Sequence, residues 1–220
     1  MEWPLLAPLP AEARAAVLAA ARRRSFGRGE VVFHEGDPAD ALHLVTRGHL
    51  VVQVTTADGA RATLNVLGPG SHVGELALLR GTGSEPRSAT VLALEGAETL
   101  SLRAAAFHEL CESHPEVDHI LVDLLAHRVR ELSERLVEST SVGLDRRVDR
   151  CLLRLADLFA AGAWPVVVPM TQDQLADLVG GTRPSVNQVL QRLQAQGVIR
   201  LGRGRVELLD RATLERKAGW

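Results

Sequence analysis

Residues 171–196 have the sequence TQDQLADLVGGTRPSVNQVLQRLQAQ, which predicts two short helices joined at a glycine turn. The hydroxyl of Thr171 can cap the first helix, while Gln174 completes a capping box. Gly180-Gly181 lets the chain turn through positive φ, which other residues resist. Thr182 is a suitable cap for the second helix. This order of signals is typical of a helix-turn-helix.

Two strand-like runs follow at residues 198–201 and 205–209, separated by Gly202-Arg-Gly204. This spacing predicts a tight hairpin whose tip carries the cation of Arg203. A helix-turn-helix with such a hairpin is a winged helix-turn-helix, and a basic tip can contact backbone phosphate. The alternative is a helical hairpin with a ribbon that only packs against it.

The second helix turns apolar residues such as Val186 and Leu190 inward and polar side chains outward. The outward side chains suit the base edges and phosphates of a major groove. The predicted DNA-contacting residues are Thr171, Gln172, Thr182, Arg183, Ser185, Asn187, Gln188 and Arg203.

Charge is divided unevenly along the 220 residues, although the net charge is only −2. Residues 141–220 contain 12 arginine and lysine against 8 aspartate and glutamate, while residues 1–140 contain 13 against 19. A basic C-terminal part fits a DNA-binding domain joined to a domain that avoids phosphate. The length allows two domains, each with its own core.

The cysteines indicate no metal or iron–sulfur site. Cys111 and Cys151 lie far apart in apolar helical patterns, without the close spacing that zinc or a cluster requires. We expect them to be buried free thiols.

The sequence shows no signal peptide and no apolar run of about 18 residues, so we expect a soluble, cytoplasmic protein.

A β domain begins near Phe26, after an amphipathic helix predicted over residues 10–24. Short β-rich runs alternate there with Gly, Pro and Asp turns. Many short strands at regular spacing predict a sandwich or jelly roll. The predicted strands are Glu30–Phe33, Ala41–Thr46, His49–Thr55, Ala62–Val66, Arg87–Ala93 and Glu98–Leu102.

Helical periodicity resumes near Ala104, and the longest predicted helix runs from Pro115 to about Ser139. Its narrow apolar seam, flanked by charges, is typical of a left-handed coiled coil, so we expect a homodimer. The alternative is a helix that packs only on its own β domain. Residues 139–143 form a candidate hinge, after which Asp145 caps a helix over residues 146–159. The seam consists of Val122, Leu125, Val129, Leu132 and Leu136.

A candidate ligand site lies between Gly74 and Val91. The runs Gly74-Glu-Leu-Ala-Leu-Leu and Pro86-Arg-Ser-Ala-Thr-Val join two strand ends by a turn rich in backbone amides, which can bind an anion. Arg87 offers a two-pronged donor for a phosphate, Ser88 a hydroxyl, and Glu75 an acceptor for a ribose hydroxyl. Alternatively, Glu75 and Arg87 simply pair across a surface hairpin.

These two runs resemble the phosphate-binding cassette of cyclic-nucleotide-binding domains. With the long helix and the winged helix-turn-helix, they resemble the CRP/FNR family of bacterial transcription regulators from about residue 10 to 210. The resemblance implies an α+β fold with three parts. These are an effector-sensing β-roll (jelly roll) at residues 1–114, a dimerisation helix at 115–140 and a winged helix-turn-helix DNA-binding domain at 141–220.

The resemblance also implies a homodimer that binds a pseudo-palindromic operator, contacts RNA polymerase and responds to cyclic AMP. In cyclic-AMP-responsive members, cassette residues meet the ribose and the cyclic phosphate, and residues of the dimer helix meet the purine. Leu132 stands where that helix has a Thr, so it cannot hydrogen-bond the adenine amino group. The implied effector-binding residues are Gly74, Glu75, Leu76, Arg87, Ser88, Arg128, Leu132 and Ser133.

The recognition helix also departs from the family pattern, in which Arg-Glu-Thr-Val precedes two polar residues. This chain has Arg183-Pro-Ser-Val-Asn-Gln188. Arg183 fits a bidentate guanine contact. Pro184 replaces a Glu that accepts from cytosine, and Gln188 replaces a basic residue and instead favours adenine. The operator is therefore expected to differ from the best-known half-site of the family.

Two alternatives stay open from the sequence. A protein of the same fold could respond to another effector, such as haem or a redox signal, or to none. The histidines do not follow a haem-binding sequence pattern. A jelly-roll metalloenzyme would need the usual His-x-His spacing, which is absent. We therefore expect no catalytic residues, no metal site and no covalent cofactor. The candidate ligands in those alternatives are His34, His43, His49, His72, Glu35 and Glu75.

Overall fold

The computed structural model describes residues 3–79, 86–160 and 163–219. The chain forms two compact units, one of residues 1–60 and 66–131 and the other of residues 61–65 and 132–220. None of the described helices combines the length and the apolar composition needed to cross a bilayer.

The N-terminal part is a β-roll of two four-stranded antiparallel sheets, which confirms the predicted jelly-roll architecture. Two helices accompany it, α1 (Ala11–Ala20) and α2 (Ala104–Ser113). The strands are β1 (Arg22–Phe26), β2 (Val31–Phe33), β3 (Ala41–Arg47), β4 (Leu50–Thr55), β5 (Arg61–Leu67), β6 (His72–Val73), β7 (Thr90–Ala93) and β8 (Ala97–Arg103). One sheet has the order β1-β8-β3-β6 and the other β2-β7-β4-β5.

Two apolar clusters hold the β-roll together. One cluster includes Phe26, Val45 and Val91, which come from strands of both sheets. The other joins the β-roll to its helices and includes Leu44 of β3 and Phe107 of α2. The sheet that contains β3 therefore buries residues on both faces: Val45 packs between the sheets and Leu44 packs against the helices, and every residue of β3 from Ala41 to Val45 is buried.

The predicted helix over residues 10–24 is wrong beyond Ala20, because residues 22–26 form β1. This strand pairs with β8 from Arg22 opposite Ser101 to Phe26 opposite Ala97. Only Phe26 of its five residues is buried. Such a strand shows no alternation that its sequence could reveal, and pairing with β8 decides its conformation.

The predicted strand from Arg87 to Ala93 is also too long at its start, since β7 begins at Thr90. Arg87 instead belongs to a loop, where its N–H donates to the carbonyl of Asp37 at 2.7 Å. Its own carbonyl accepts from the N–H of Gly36 at 2.9 Å. These bonds hold the backbone of Arg87 against the β2–β3 connection.

The long helix α3 (His119–Ser141) follows a 3-10 turn at Pro115–Asp118, and α4 (Leu144–Phe159) follows α3. The hinge is therefore only Val142-Gly143, and the predicted break at residues 139–143 is too long. Ser139 and Thr140 remain within α3, and their hydroxyls donate back to the carbonyl of Leu136.

The predicted cap of α4 is wrong as well. Gly143 occupies the N-cap position and supplies no side chain. Asp145 lies in the first turn, where both carboxylate oxygens accept from Arg192 at 2.7 and 2.8 Å. A carboxylate in the first turn still favours the helix through the macrodipole.

The second unit contains the winged helix-turn-helix. Its helices after α4 are α5 (Gln172–Val179), α6 (Arg183–Ala195) and α7 (Arg211–Ala218). Its sheet has the order β10-β11-β9, with β9 (Val166–Val168), β10 (Ile199–Gly202) and β11 (Arg205–Leu208). Neither β9 nor α7 was predicted from the sequence. The cap of α7, where Asp210 accepts from the N–H of Thr213, was a readable signal.

Candidate ligand cassette and nucleic-acid interface

Gly74 begins the cassette in the left-handed conformation, with φ of 84°, just before a 3-10 turn at Glu75–Leu78. A Cβ on Gly74 would lie 2.5 Å from Nη1 of Arg87 and 2.9 Å from the carbonyl oxygen of Ala41. Nη1 of Arg87 also donates to the carbonyl of Gly74 at 3.4 Å. Only glycine permits both this backbone conformation and this close approach of the guanidinium.

Arg87 is buried, with 4% of its side chain exposed. Its Nη2 donates to Oδ1 of Asp40 at 3.0 Å, and its guanidinium carbon lies 4.1 Å from the ring centroid of Phe33. Burial lowers the pKa of Arg87, while the carboxylate of Asp40 opposes that shift. The ion pair therefore joins Arg87 to Asp40 and not to Glu75. Asp40 was not predicted from the sequence, because no local pattern brings the start of β3 to the cassette.

The buried guanidinium fits an anion. Its Nε is buried and has no hydrogen-bond partner among the residues that the structure describes. A buried donor without a partner costs free energy, and a phosphate oxygen would satisfy it with a charge-assisted bond. Gly74, which has no side chain, lets the guanidinium approach the backbone of the cassette. These two observations indicate that the position can hold an anion.

The other predicted cassette residues lie around this centre with different exposure. Glu75 is half-buried, Leu76 is 44% exposed and Ser88 is exposed. Ser88 is therefore more exposed than Arg87, which precedes it. All three residues lie within the described ranges.

The pKa of His72, on β6, is shifted by burial and by charged residues of the cassette and of α3. Burial lowers the pKa of His72, Glu75 and Glu131 raise it, and His127 and Arg128 lower it. Arg128 also donates to Glu131 at 2.9 Å within α3. The sequence suggested His72 only as a possible metal or haem ligand, although its place two residues before Gly74 was a usable signal.

The remaining predicted effector residues lie further along α3, in the second unit. Leu132 is 53% exposed and Ser133 is also exposed. The rest of the predicted seam is exposed as well, at 38% for Leu125 and 65% for both Val122 and Leu136. No other segment of the described single chain fully buries the apolar residues of the seam.

The histidines proposed as metal ligands do not converge. His43 is buried beside Thr99, 3.0 Å from its hydroxyl, and burial lowers the pKa of His43 to about 4. His49 instead lies 2.6 Å from Oε1 of Glu95. No three His, Cys, Asp or Glu side chains in the described ranges lie together as a metal site.

The helix-turn-helix has the predicted caps. The N–H of Gln174 donates to the hydroxyl of Thr171 at 3.2 Å, and the side-chain oxygen of Gln174 accepts from the N–H of Thr171 at 2.9 Å. The hydroxyl of Thr182 accepts from the N–H of Ser185 at 3.4 Å. The predicted positive φ holds for Gly180, at 62°.

Gly181 is required for a different reason, which the sequence did not show. A Cβ there would lie 2.8 Å from Cδ1 of Leu144 and 2.9 Å from Cγ2 of Val186. The second glycine therefore allows α4 and α6 to pack closely at the turn, and its own φ is not positive.

Helix α6 buries its apolar face, including Val186 and Leu190, and exposes Arg183 and Gln188. Ser185 and Asn187 are half-buried. Oδ1 of Asn187 is buried and lacks a hydrogen-bond partner in the described part of the chain. The side-chain oxygen of Asn187 is therefore turned away from solvent, although the residue as a whole is half-buried.

At the other predicted DNA contacts, Thr171 and Thr182 are exposed at the starts of their helices, and Gln172 is half-buried. Arg203 is exposed at the tip of the hairpin, in the two-residue turn between β10 and β11. An ion pair that was not predicted from the sequence joins Nε of Arg183 to Oδ1 of Asp173 at 3.0 Å.

Comparison with known proteins agrees with this arrangement. Residues 23–114 match the cyclic nucleotide-binding domain, and residues 146–217 match the Crp-like helix-turn-helix domain. A cyclic AMP receptor protein of Thermus thermophilus is 35% identical over 194 residues, which cover 88% of this chain and 87% of the relative. The chain belongs to the CRP/FNR family of transcription regulators.

Other CRP/FNR proteins extend the comparison. A CRP-like cAMP-activated global transcriptional regulator of Mycobacterium tuberculosis is 31% identical over 88% of this chain and 86% of its own length. A solved CRP-family regulator of Thermus thermophilus is 30% identical, with a TM-score of 0.73 over 90% of this chain and 97% of that structure. The catabolite activator protein of the same organism is 34% identical, with a TM-score of 0.55 over 98% of both chains.

Proposed function

We propose that this CRP/FNR regulator binds a pseudo-palindromic DNA operator as a homodimer under the control of cyclic AMP. The observation that carries the effector assignment is the buried guanidinium of Arg87 beside Gly74, with one donor unsatisfied among the described residues. The names of the Thermus and Mycobacterium relatives, a cyclic AMP receptor protein and a cAMP-activated regulator, support the same ligand.

In this proposal Arg87 and Ser88 hold the cyclic phosphate, and Gly74 and Glu75 meet the ribose. Asp40 orients Arg87, since it already binds Nη2 and leaves Nε for the ligand. A phosphate bound there would be held by charge-assisted bonds in a poorly solvated place. We also assign Leu76, Arg128, Leu132 and Ser133 to effector binding, as the family resemblance implies.

Calorimetric titration with cyclic AMP and cyclic GMP tests the effector assignment. Arg87→Ala removes a charged hydrogen-bonding partner, which corresponds to roughly a 10- to 150-fold loss of affinity. Arg47→Ala is the matched control, because Arg47 is an exposed arginine of the same β-roll, 3.8 Å from Glu98. Absence of binding heat for both nucleotides in the wild type would remove the cyclic-nucleotide assignment and favour another effector or none.

The uncovered seam of α3 supports the homodimer. Its apolar residues repeat at steps of 3 and 4 and are exposed, with Val129 at 63%. A second copy of the same helix would cover them. Sedimentation equilibrium should show a dimer for the wild type and a monomer for Val129→Glu, while Glu134→Ala, at an exposed position outside the seam, should stay dimeric. A monomeric wild type at working concentration contradicts the proposal.

The exposed face of the helix-turn-helix supports the assignment of DNA contacts. We propose that Arg183 and Gln188 contact bases and that Ser185 and Asn187 contact DNA next to them. The proposed contacts to the phosphate backbone are Thr171, Gln172, Thr182 and Arg203. Arg203→Ala should weaken binding to all sequences and lower the slope of log K against log salt by about 1. Arg183→Ala should instead relax preference at one base pair. If both variants bind as the wild type does, this face is not the reader.

The proposal divides the chain into a sensing part at residues 1–114, a dimerisation helix at 115–140 and a DNA-binding part at 141–220. It places the protein in the cytoplasm and gives it RNA polymerase as a further partner. Co-purification of polymerase on operator DNA that carries the regulator tests that partnership. Polymerase recovery that is equal with and without the regulator would count against it.

A further inference from the structure

Asp173 and Arg183 connect the two helices of the helix-turn-helix at their exposed ends. Asp173 lies in the first turn of α5, and Arg183 is the first residue of α6. Oδ1 of Asp173 lies 3.0 Å from Nε of Arg183. The side chain of Arg183 remains 68% exposed and that of Asp173 58%. The pair therefore lies on the surface that the proposed function turns toward DNA, and is not part of the core.

The atom that Asp173 holds determines what Arg183 can still offer. A guanidinium has two edges that can form two parallel hydrogen bonds, one through Nε with an Nη and one through both Nη atoms. The ion pair places the carboxylate of Asp173 at the Nε side of the guanidinium, so the edge with both Nη atoms remains for a ligand. That edge matches O6 and N7 of guanine in the major groove.

We propose that Asp173 is a positioning residue that makes Arg183 a guanine reader and limits binding to non-operator DNA. This inference rests on the proposed function, because it assumes that α6 enters a major groove. Its two effects have separate physical causes. Holding Arg183 before binding reduces the freedom lost when the guanine contact forms. The negative charge of Asp173 repels phosphates, so it weakens the sequence-independent part of binding.

The two effects act in the same direction on specificity. A free arginine can satisfy its charge on any phosphate, and such contacts carry no sequence information. An arginine already paired with a carboxylate gains little from a phosphate but can still donate two bonds to guanine. The ratio of operator to non-operator affinity should therefore depend on Asp173 although Asp173 itself touches no base.

The experiment begins with selection of preferred duplexes from a random library, with and without added cyclic AMP. The proteins are the wild type, Arg183→Ala, Asp173→Ala and Asp173→Asn. The matched control is Asp157→Ala, because Asp157 is an exposed aspartate paired with Arg211 at 2.8 Å in the same unit. It changes the net charge of the unit by the same amount as Asp173→Ala. Affinities for the selected duplex and for random competitor are then measured by fluorescence anisotropy.

We expect Arg183→Ala to lose the preference for one guanine in each half-site, by roughly 5- to 150-fold. Asp173→Ala should lower the same preference about 3- to 10-fold and raise affinity for random duplex several-fold. Asp173→Asn keeps a side-chain oxygen without the charge, so it should retain more of the guanine preference than Asp173→Ala. The control should match the wild type in base preference.

The outcomes separate the two proposals. If the wild type selects no sequence under either condition, the proposed DNA-reading function fails. If Arg183→Ala loses the guanine preference while Asp173→Ala keeps it in full, only the role of Asp173 is refuted. A helix-stabilising role of Asp173 alone would lower the free energy of unfolding without a change in base preference. Urea unfolding of each variant therefore accompanies the binding data.

Discussion

Replacing Gly74 by alanine tests the geometry of the cassette directly. The new methyl group would sit 2.5 Å from Nη1 of Arg87 and 2.9 Å from the carbonyl oxygen of Ala41. Arg87 is buried and tied to Asp40, so its guanidinium has little room to retreat. The carbonyl of Ala41 belongs to a strand and is equally constrained. The substitution must therefore either displace Arg87 or distort the start of β3.

The expected magnitude has two parts. A left-handed φ of 84° costs an alanine roughly 1–2 kcal/mol relative to glycine. Overpacking against a fixed backbone atom adds roughly 1–3 kcal/mol. Gly74→Ala should thus lower the free energy of unfolding by about 2–5 kcal/mol. It should also abolish the proposed cyclic AMP binding, because the methyl group would displace the guanidinium whose Nε is proposed to hold the phosphate.

Gly59→Ala is the matched control, because Gly59 has a similar φ of 81° and a Cβ there would have no described heavy atom within 4 Å. It should cost only the backbone part, about 1–2 kcal/mol, and leave cyclic AMP binding unchanged. Urea unfolding and calorimetry on both variants provide the comparison. Equal destabilisation of the two variants, or normal nucleotide binding by Gly74→Ala, would refute the claim that position 74 is closed to a side chain.

Three further predictions concern other parts of the chain. Burial raises the pKa of the Asp149 carboxyl to about 6, from 3.8 for an aspartate in the unfolded chain. The stability that the protonated carboxyl contributes is therefore fully present below pH 3.8 and is lost as the pH rises through about 6. Urea unfolding should show that the free energy of unfolding of Asp149→Asn, relative to the wild type, rises between these two pH values. Arg147 donates to the carbonyls of Ser139 at 2.6 Å and Gly180 at 3.3 Å, so Arg147→Ala should lower the free energy of unfolding, again measured in urea, by about 1.5–3 kcal/mol. Leu132→Thr should raise cyclic AMP affinity about fivefold in calorimetry, because the new hydroxyl would supply a purine bond of about 1 kcal/mol.

The elements that could be predicted from the sequence are those whose signal is local. The caps at Thr171 and Thr182 and the hairpin with Arg203 at its tip each depend on a few neighbouring residues, and all three are present in the structure. By contrast, β1 is a strand only because β8 pairs with it. Asp40 joins Arg87 across 47 positions, and no pattern in either segment indicates that contact.

The candidate site divides in the same way. The family resemblance identified Gly74 and Arg87, and the structure supplies the reason, a guanidinium that needs the space a glycine leaves. It did not identify Asp173, because the proposed role of that residue depends on which side of the Arg183 guanidinium its carboxylate lies. A motif gives the type of side chain at a position, whereas the direction in which a donor points depends on neighbours distant in sequence.

The short hinge has a consequence for how α3 and α4 move. Each residue contributes two soft dihedral angles, so Val142-Gly143 leaves few degrees of freedom between the helices. Side chains of α4 reduce that freedom further, because Arg147 binds the carbonyl of Ser139 and Arg154 binds Glu138 at 3.1 Å. We therefore expect a rotation of the C-terminal end of α3 to be passed on to α4, because the hinge is short and two arginines bridge it. Since α4 packs against Gly181 through Leu144, a rotation of α3 would reach the turn between the two DNA-reading helices.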